Sequence, residues 1–173
     1  MYSLNTNQII LSIMKSKFAI LIFITIACFQ ISSCTQKLNT DAEKTKIESV
    51  VTNFKTFWET EDMNLHSEIM VHDADMVNYG SDANEIFIGW DALKDSIQQM
   101  LPAFEKTKIT VRNQVINMDS DDHTAWFSQL WDWELEFGGQ PVKIPNQRLT
   151  GVLEKRNDSW VVVQFHNSVP VTH

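Results

Sequence analysis

His166, near the end of "SWVVVQFHNSVP", is the side chain in this sequence best suited to proton transfer. An imidazole changes charge near neutral pH and is the usual general base. Gln164 and Ser168 flank it at strand spacing. An apolar strand with a polar end is what a pocket wall requires. The other reading is a histidine satisfied by a buried carboxylate or a backbone carbonyl. A second cluster, "HDADMVNYG", offers His72, Asp73, Asp75 and Tyr79. Two carboxylates perform acid–base work when their surroundings push their pKa values apart; near a turn they otherwise stay solvated or cap. Tyr79 could donate a hydrogen bond to a substrate oxygen. Arg148 could grip a carboxylate ligand or sit in a structural ion pair, with Asp132 or Glu134 as its partner. The histidines at 66, 72, 123, 166 and 173 are scattered and form no H-E-x-x-H pattern. No metal site is expected. Without a glycine-rich phosphate loop or a G-x-S-x-G elbow, no cofactor is expected either.

Ile47, Val50, Val51, Phe54, Phe57 and Trp58 fall on one face of a helix, with Asp41 as its N-cap. "TEDMNLHSEIM" reads as a turn and a short second helix with Leu65, Ile69 and Met70 inward. "ADMVNYG" is a short strand, and "SDANEIFIGWDA" is a loop holding "IFI". A third helix, capped by Asp91, turns Leu93, Ile97, Leu101 and Phe104 to one side. From Lys106 the period changes to two, and four strands follow, with turns at "GGQP" and "NDS". Early helices and a late antiparallel sheet predict an α+β fold with helices over one sheet face. Strict alternation puts Ile109, Val111 and Val115 on one side, and Trp131, Trp133, Leu135 and Phe137 together. In the last strand it groups Trp160, Val162, Gln164, His166 and Ser168 against Val161, Val163, Phe165 and Asn167.

The N-terminus carries a different signal. Lys15 and Lys17 precede the apolar run "FAILIFITIACFQI", too short to span a bilayer and shaped like an export signal. It ends in "ISSC", which looks like the lipobox of bacterial lipoproteins. That resemblance implies a signal peptide over 1–33, with Met14 as the true start. It also implies lipid on Cys34, a polar tether over 34–44 and a domain over 45–173. The protein would be exported and lipid-anchored in the bacterial envelope. With Cys28 lost and Cys34 lipidated, no disulfide framework is available. The 22 acidic residues outnumber 14 basic ones, a net charge of −8. Such a chain is a poor partner for nucleic acid.

The element order, with "DADMVNYG", "GWDALKDSI", "AW" and above all "QRLTGVLEKRNDSWVVVQFHNS", resembles the SnoaL-like group of the nuclear transport factor 2-like superfamily. The resemblance covers Thr45 to Pro170. It implies a cone of three N-terminal helices packed on a curved antiparallel sheet, with a small-molecule pocket between them. Trp58, Tyr79, Trp90, Arg148, Gln164 and His166 are the ligand-binding residues it suggests. Gln164 stands where the family often has a second histidine. Family members commonly pair back to back through the sheet, which points to a homodimer through Val161, Val163 and Phe165. The family hosts unlike functions. The expectation is a pocket that binds a small apolar or aromatic molecule. The alternatives are an isomerase, cyclase or dehydratase using His166 as base with Tyr79 or Asp75, and a non-catalytic protein-interaction module.

Overall fold

Helix α1 covers 40–60 in the computed structural model, which describes residues 40–170. The expected leader, its start at Met14 and Cys34 lie outside the described residues. Along α1, Ile47, Val51, Phe54 and Phe57 recur at helical spacing and are all buried. Asp41 lies within this helix, not at its cap. Helix α2, Met63–Ile69, starts at Asp62, whose carboxylate accepts from the backbone N–H groups of Asn64 (2.9 Å) and Leu65 (3.2 Å). Strands β1 (Val77–Tyr79) and β2 (Ile86–Ile88) form a hairpin, so "IFI" is a strand rather than a loop. Helix α3, Trp90–Met100, begins at Gly89 and not at Asp91. Gly89 has φ 83°, and a Cβ there would lie 2.8 Å from the Ala74 carbonyl oxygen. Only glycine admits the chain at that entry.

A short 3₁₀ turn, Leu101–Ala103, leads into the long strands β3 (Phe104–Met118), β4 (Thr124–Phe137), β5 (Gln140–Arg156) and β6 (Ser159–Ser168). The sheet of the unit Glu43–His173 runs β2-β1-β6-β5-β4-β3, antiparallel except where β1 lies parallel to β6. Two hairpins close through residue pairs with positive φ: Gly138 and Gly139 at 58° and 75°, Asn157 and Asp158 at 50° and 64°. Turns of this hand match the twist of the flanking strands. The expected α+β architecture is the one the chain adopts. Phe54 ties the layers together, its ring 5.9 Å from Trp131 and 5.3 Å from Phe165.

Strict alternation fails at four places, because β3 (twice), β5 and β6 each carry an extra residue. One extra residue turns every later side chain to the opposite face. In β3 the bulge at Asn113 and Gln114, with Asn113 at φ 51°, turns Val115 outward, where it is 51 % exposed. In β5 the bulge at Pro145 and Asn146 is clamped. Asp132 accepts from the Asn146 backbone N–H (2.8 Å) and from Arg112 Nε (2.6 Å), and Arg112 also donates to Asn146 Oδ1 (2.7 Å). In β6, Val162 pairs with Leu153 and Gln164 with Val152, which leaves Val163 as the extra residue. Trp160, Val162 and Phe165 therefore all face the helices and are buried. The alternation that joined His166 and Gln164 to Trp160, and Phe165 to Val161, is corrected by this single bulge. Opposite it, Gly151 supplies the room. A Cβ there would lie 2.5 Å from the Phe127 ring and 2.9 Å from the Gln164 carbonyl oxygen.

Candidate functional site

Between α3, the β1–β2 hairpin and the inner face of β4, β5 and β6 lies a cavity of about 620 Å³. Its volume suits a small molecule. Helix α3 contributes Leu93, Ile97 and Met100, and the sheet contributes Trp133, Leu135, Ile144 and Phe165. Trp58 reaches in from α1, its ring 5.4 Å from that of Trp133 in an edge-on contact. The polar groups are few. At depth, Gln147 is 4 % exposed, and Asn167 Nδ2 donates to its Oε1 over 3.3 Å. Trp133, 5 % exposed, leaves its indole N–H without a partner among the described residues. Nearer solvent, Gly80, Ser81, Asp82 and Glu85 of the hairpin form the rim. Glu85 folds back to accept from the Asp82 backbone N–H at 3.0 Å, over the space a Cβ on Gly80 would occupy.

The sequence-predicted residues divide. Trp58 lines the cavity. Trp90 is buried behind it, its ring 4.2 Å from His72 and 5.3 Å from His66. His166 and Tyr79 are brought together, paired in register with ring centroids 5.8 Å apart, but on the exposed outer face of the sheet. Gln164 shares that outer face, half-buried, and Arg148 is exposed there with no ion pair among the described residues. Asp132 is committed to Arg112 and Glu134 to Lys143. Asp75 is exposed in the loop before β1, while Asp73 reaches Arg156 at 3.5 Å. No histidine is among the lining residues. Phe165, expected at a dimer surface, is instead a wall of the cavity.

Three residues that sequence reasoning did not assign to the pocket supply its polar chemistry: Trp133, Gln147 and Asn167. Asn167 and Gln147 are the immediate neighbours of His166 and Arg148, so an error of one position hid both. Asn113 and Asn146, each at positive φ within a strand, are the kind of residue that flags a bulge. The valine run that holds the β6 bulge carries no such flag.

Residues 47–172 match the model of the SnoaL-like domain family. No curated protein matches the chain. Solved structures share its fold. A nuclear transport factor 2-like superfamily protein from Salmonella enterica superposes with a TM-score of 0.68 at 17% identity, covering 77% of this chain and 94% of its own. A candidate dehydratase of that family from Streptomyces avermitilis gives 0.68 at 16%, covering 77% and 99%. A candidate scytalone dehydratase from Novosphingobium aromaticivorans gives 0.65 at 15%, covering 78% and 88%.

Proposed function

The chain belongs to the SnoaL-like domain family, and from that premise we propose that it binds a small, largely apolar molecule without turning it over. The observation that carries this reading is the cavity itself: apolar walls, and uncharged polar groups at depth. An isomerase or dehydratase of the expected type needs a base within hydrogen-bond reach of the substrate. His166 and Tyr79 stand across the sheet from the cavity, so the geometry favours binding over catalysis. Native mass spectrometry of the purified protein should show a co-purifying small molecule. Tryptophan fluorescence should be quenched saturably by naphthol, reporting on Trp58 and Trp133. Val142→Trp, which fills the cavity from β5, should weaken naphthol at least tenfold with an unchanged circular dichroism spectrum. Unaltered affinity in that variant would place binding elsewhere.

Homodimerisation through the outer sheet face is supported by a row of paired residues across all six strands: Ile86, Tyr79, His166, Thr150, Ser128 and Val115. On the same face, Ile88 of β2 is 63 % exposed and Trp126 of β4 47 %, large apolar side chains that pairing would cover. Sedimentation velocity should give a dimer that Trp126→Glu dissociates; a wild-type monomer at micromolar concentration would reject this. We also propose that Cys34 carries the lipid anchor of an exported envelope protein. Cys34→Ser should move the protein from the membrane fraction to the soluble one, and unchanged partitioning would sink the assignment.

A further inference from the structure

The cavity holds unspent hydrogen-bonding capacity of a particular kind. Trp133 on β4, Gln147 on β5 and Asn167 on β6 come from three adjacent strands and line the same space. Trp133 Nε1 has no partner among the described residues. The Asn167 Nδ2 to Gln147 Oε1 bond leaves Asn167 Oδ1 buried and unmatched, and Gln147 Nε2, which is not a fully buried atom, donates to no other side chain among the described residues. Reversing both amides only exchanges which residue holds the spare oxygen. Either way the pair offers one carbonyl and one N–H₂ edge, and the indole adds a second donor. Buried polar groups are almost always satisfied, so the Trp133 indole and the Asn167 amide call for a complement.

We infer that the ligand is an uncharged molecule carrying a carbonyl beside an N–H donor, the edge of a lactam, on an otherwise apolar body. This deepens the reading of the cavity as a binding site and rests on it. The ligand carbonyl accepts from the Trp133 indole and the free amide N–H, and its N–H donates to the free amide oxygen. A carboxylate could take the two donors but has no proton for the amide oxygen. No lysine or arginine lines the cavity, and Asp82 and Glu85 at its rim repel an anion. An ammonium would meet one acceptor at depth and two donors that oppose it. A bare hydrocarbon would leave all three groups unmet, which is the penalty that rejects analogues lacking a polar group.

The test is a titration followed by nitrogen–proton correlation NMR, with four bicyclic probes of similar size: carbostyril, N-methylcarbostyril, naphthalene and naphthoate. Carbostyril is expected to bind about tenfold more tightly than N-methylcarbostyril or naphthalene, the order expected for one or two good hydrogen bonds. It should also move the Trp133 indole signal downfield, which naphthalene should not. Asn167→Leu should bring carbostyril to within about twofold of naphthalene. Equal affinities for carbostyril and naphthalene in the wild type would overturn the lactam assignment and leave the cavity as an apolar binding site, its polar groups satisfied by water. Tightest binding of naphthoate would overturn it as well. If no probe binds, both the ligand class and the binding reading fall. The comparison among probes on the wild-type protein stands whether or not Asn167→Leu folds.

Discussion

Replacing Glu43 with alanine is expected to destabilise the domain by about 3–5 kcal/mol, the cost of breaking a buried ion pair on one side. Glu43 is 3 % exposed, on the first described turn of α1. Its carboxylate accepts from Lys46 Nζ (2.8 Å), Lys155 Nζ (3.0 Å) and Trp160 Nε1 (2.7 Å). The three donors are not equivalent. Lys46 is 54 % exposed and returns to water without penalty, whereas Lys155 is 16 % exposed and the Trp160 indole is buried. The alanine variant strands those two donors and unfastens α1 from β5 and β6. Glu43→Gln keeps an oxygen for Trp160 but removes the charge the lysines need, so it should lose about half as much. A fall in Tm of roughly 10 °C or more for the alanine variant, with the glutamine variant between, is the expected pattern. If both variants melt with the wild type, the clasp contributes nothing.

The same residue has a pH signature. The Lys46 bond holds the Glu43 carboxyl down to about 2 against burial, with Trp160 and Lys155 adding to it, from an ordinary value of 4.5. An unfolded chain takes up that proton at higher pH than the folded one. Glu43's contribution is therefore complete above pH 4.5 and disappears as the pH falls towards 2.

His66 produces a second loss at milder acidity. Its ring is fully buried, 4.4 Å from Phe57 and 5.3 Å from Trp90, and neither nitrogen has a partner among the described residues. Burial, reinforced by the charge of His72, lowers its pKa from 6.5 to about 4. Between those values the unfolded chain binds a proton that the folded one refuses. Stability is full above pH 6.5 and falls as the pH drops towards 4. The whole window is worth about 3 kcal/mol. His66→Leu removes the proton and the two unmatched nitrogens while keeping an apolar filling. Urea denaturation at several pH values should show the wild type weakening from neutrality towards pH 4.5, and the variant nearly level until the carboxylates titrate. Parallel curves for the two proteins would show that His66 does not control the acid limb. Exposed His72 completes this stack, its Nε2 2.9 Å from the Ser67 carbonyl oxygen and its ring against Trp90.

Much of the architecture could be read before any coordinates. Apolar residues at helical spacing marked the inner faces of α1 and α3, and the change of period near Lys106 marked the passage to the sheet. These patterns are legible because a helix or strand repeats its geometry at every residue, so burial writes itself into the order of side chains. The aromatic stripe of β4 was legible for the same reason: Trp131, Trp133 and Leu135 face the core in an uninterrupted strand. His66 and Glu43 were not, because nothing local distinguishes a buried polar side chain from an exposed one at the same helical position. What buries Glu43 is Trp160 and Lys155, more than a hundred residues along the chain.

The sequence alone therefore determined the α+β class and the layer order, which follow from periodicity and turn chemistry, and the resemblance of its motifs pointed to the fold family. Only the tertiary structure decided which side chains enter the cavity. Strand parity has a memory of one residue, and a single bulge at Val163 reverses it for everything that follows. His166 and Gln164 were thereby turned to the outer face and Phe165 and Asn167 to the inner one. That bulge forms where Gly151 opposite leaves room for Phe127 to cross, a three-strand packing relation that no short window of sequence contains.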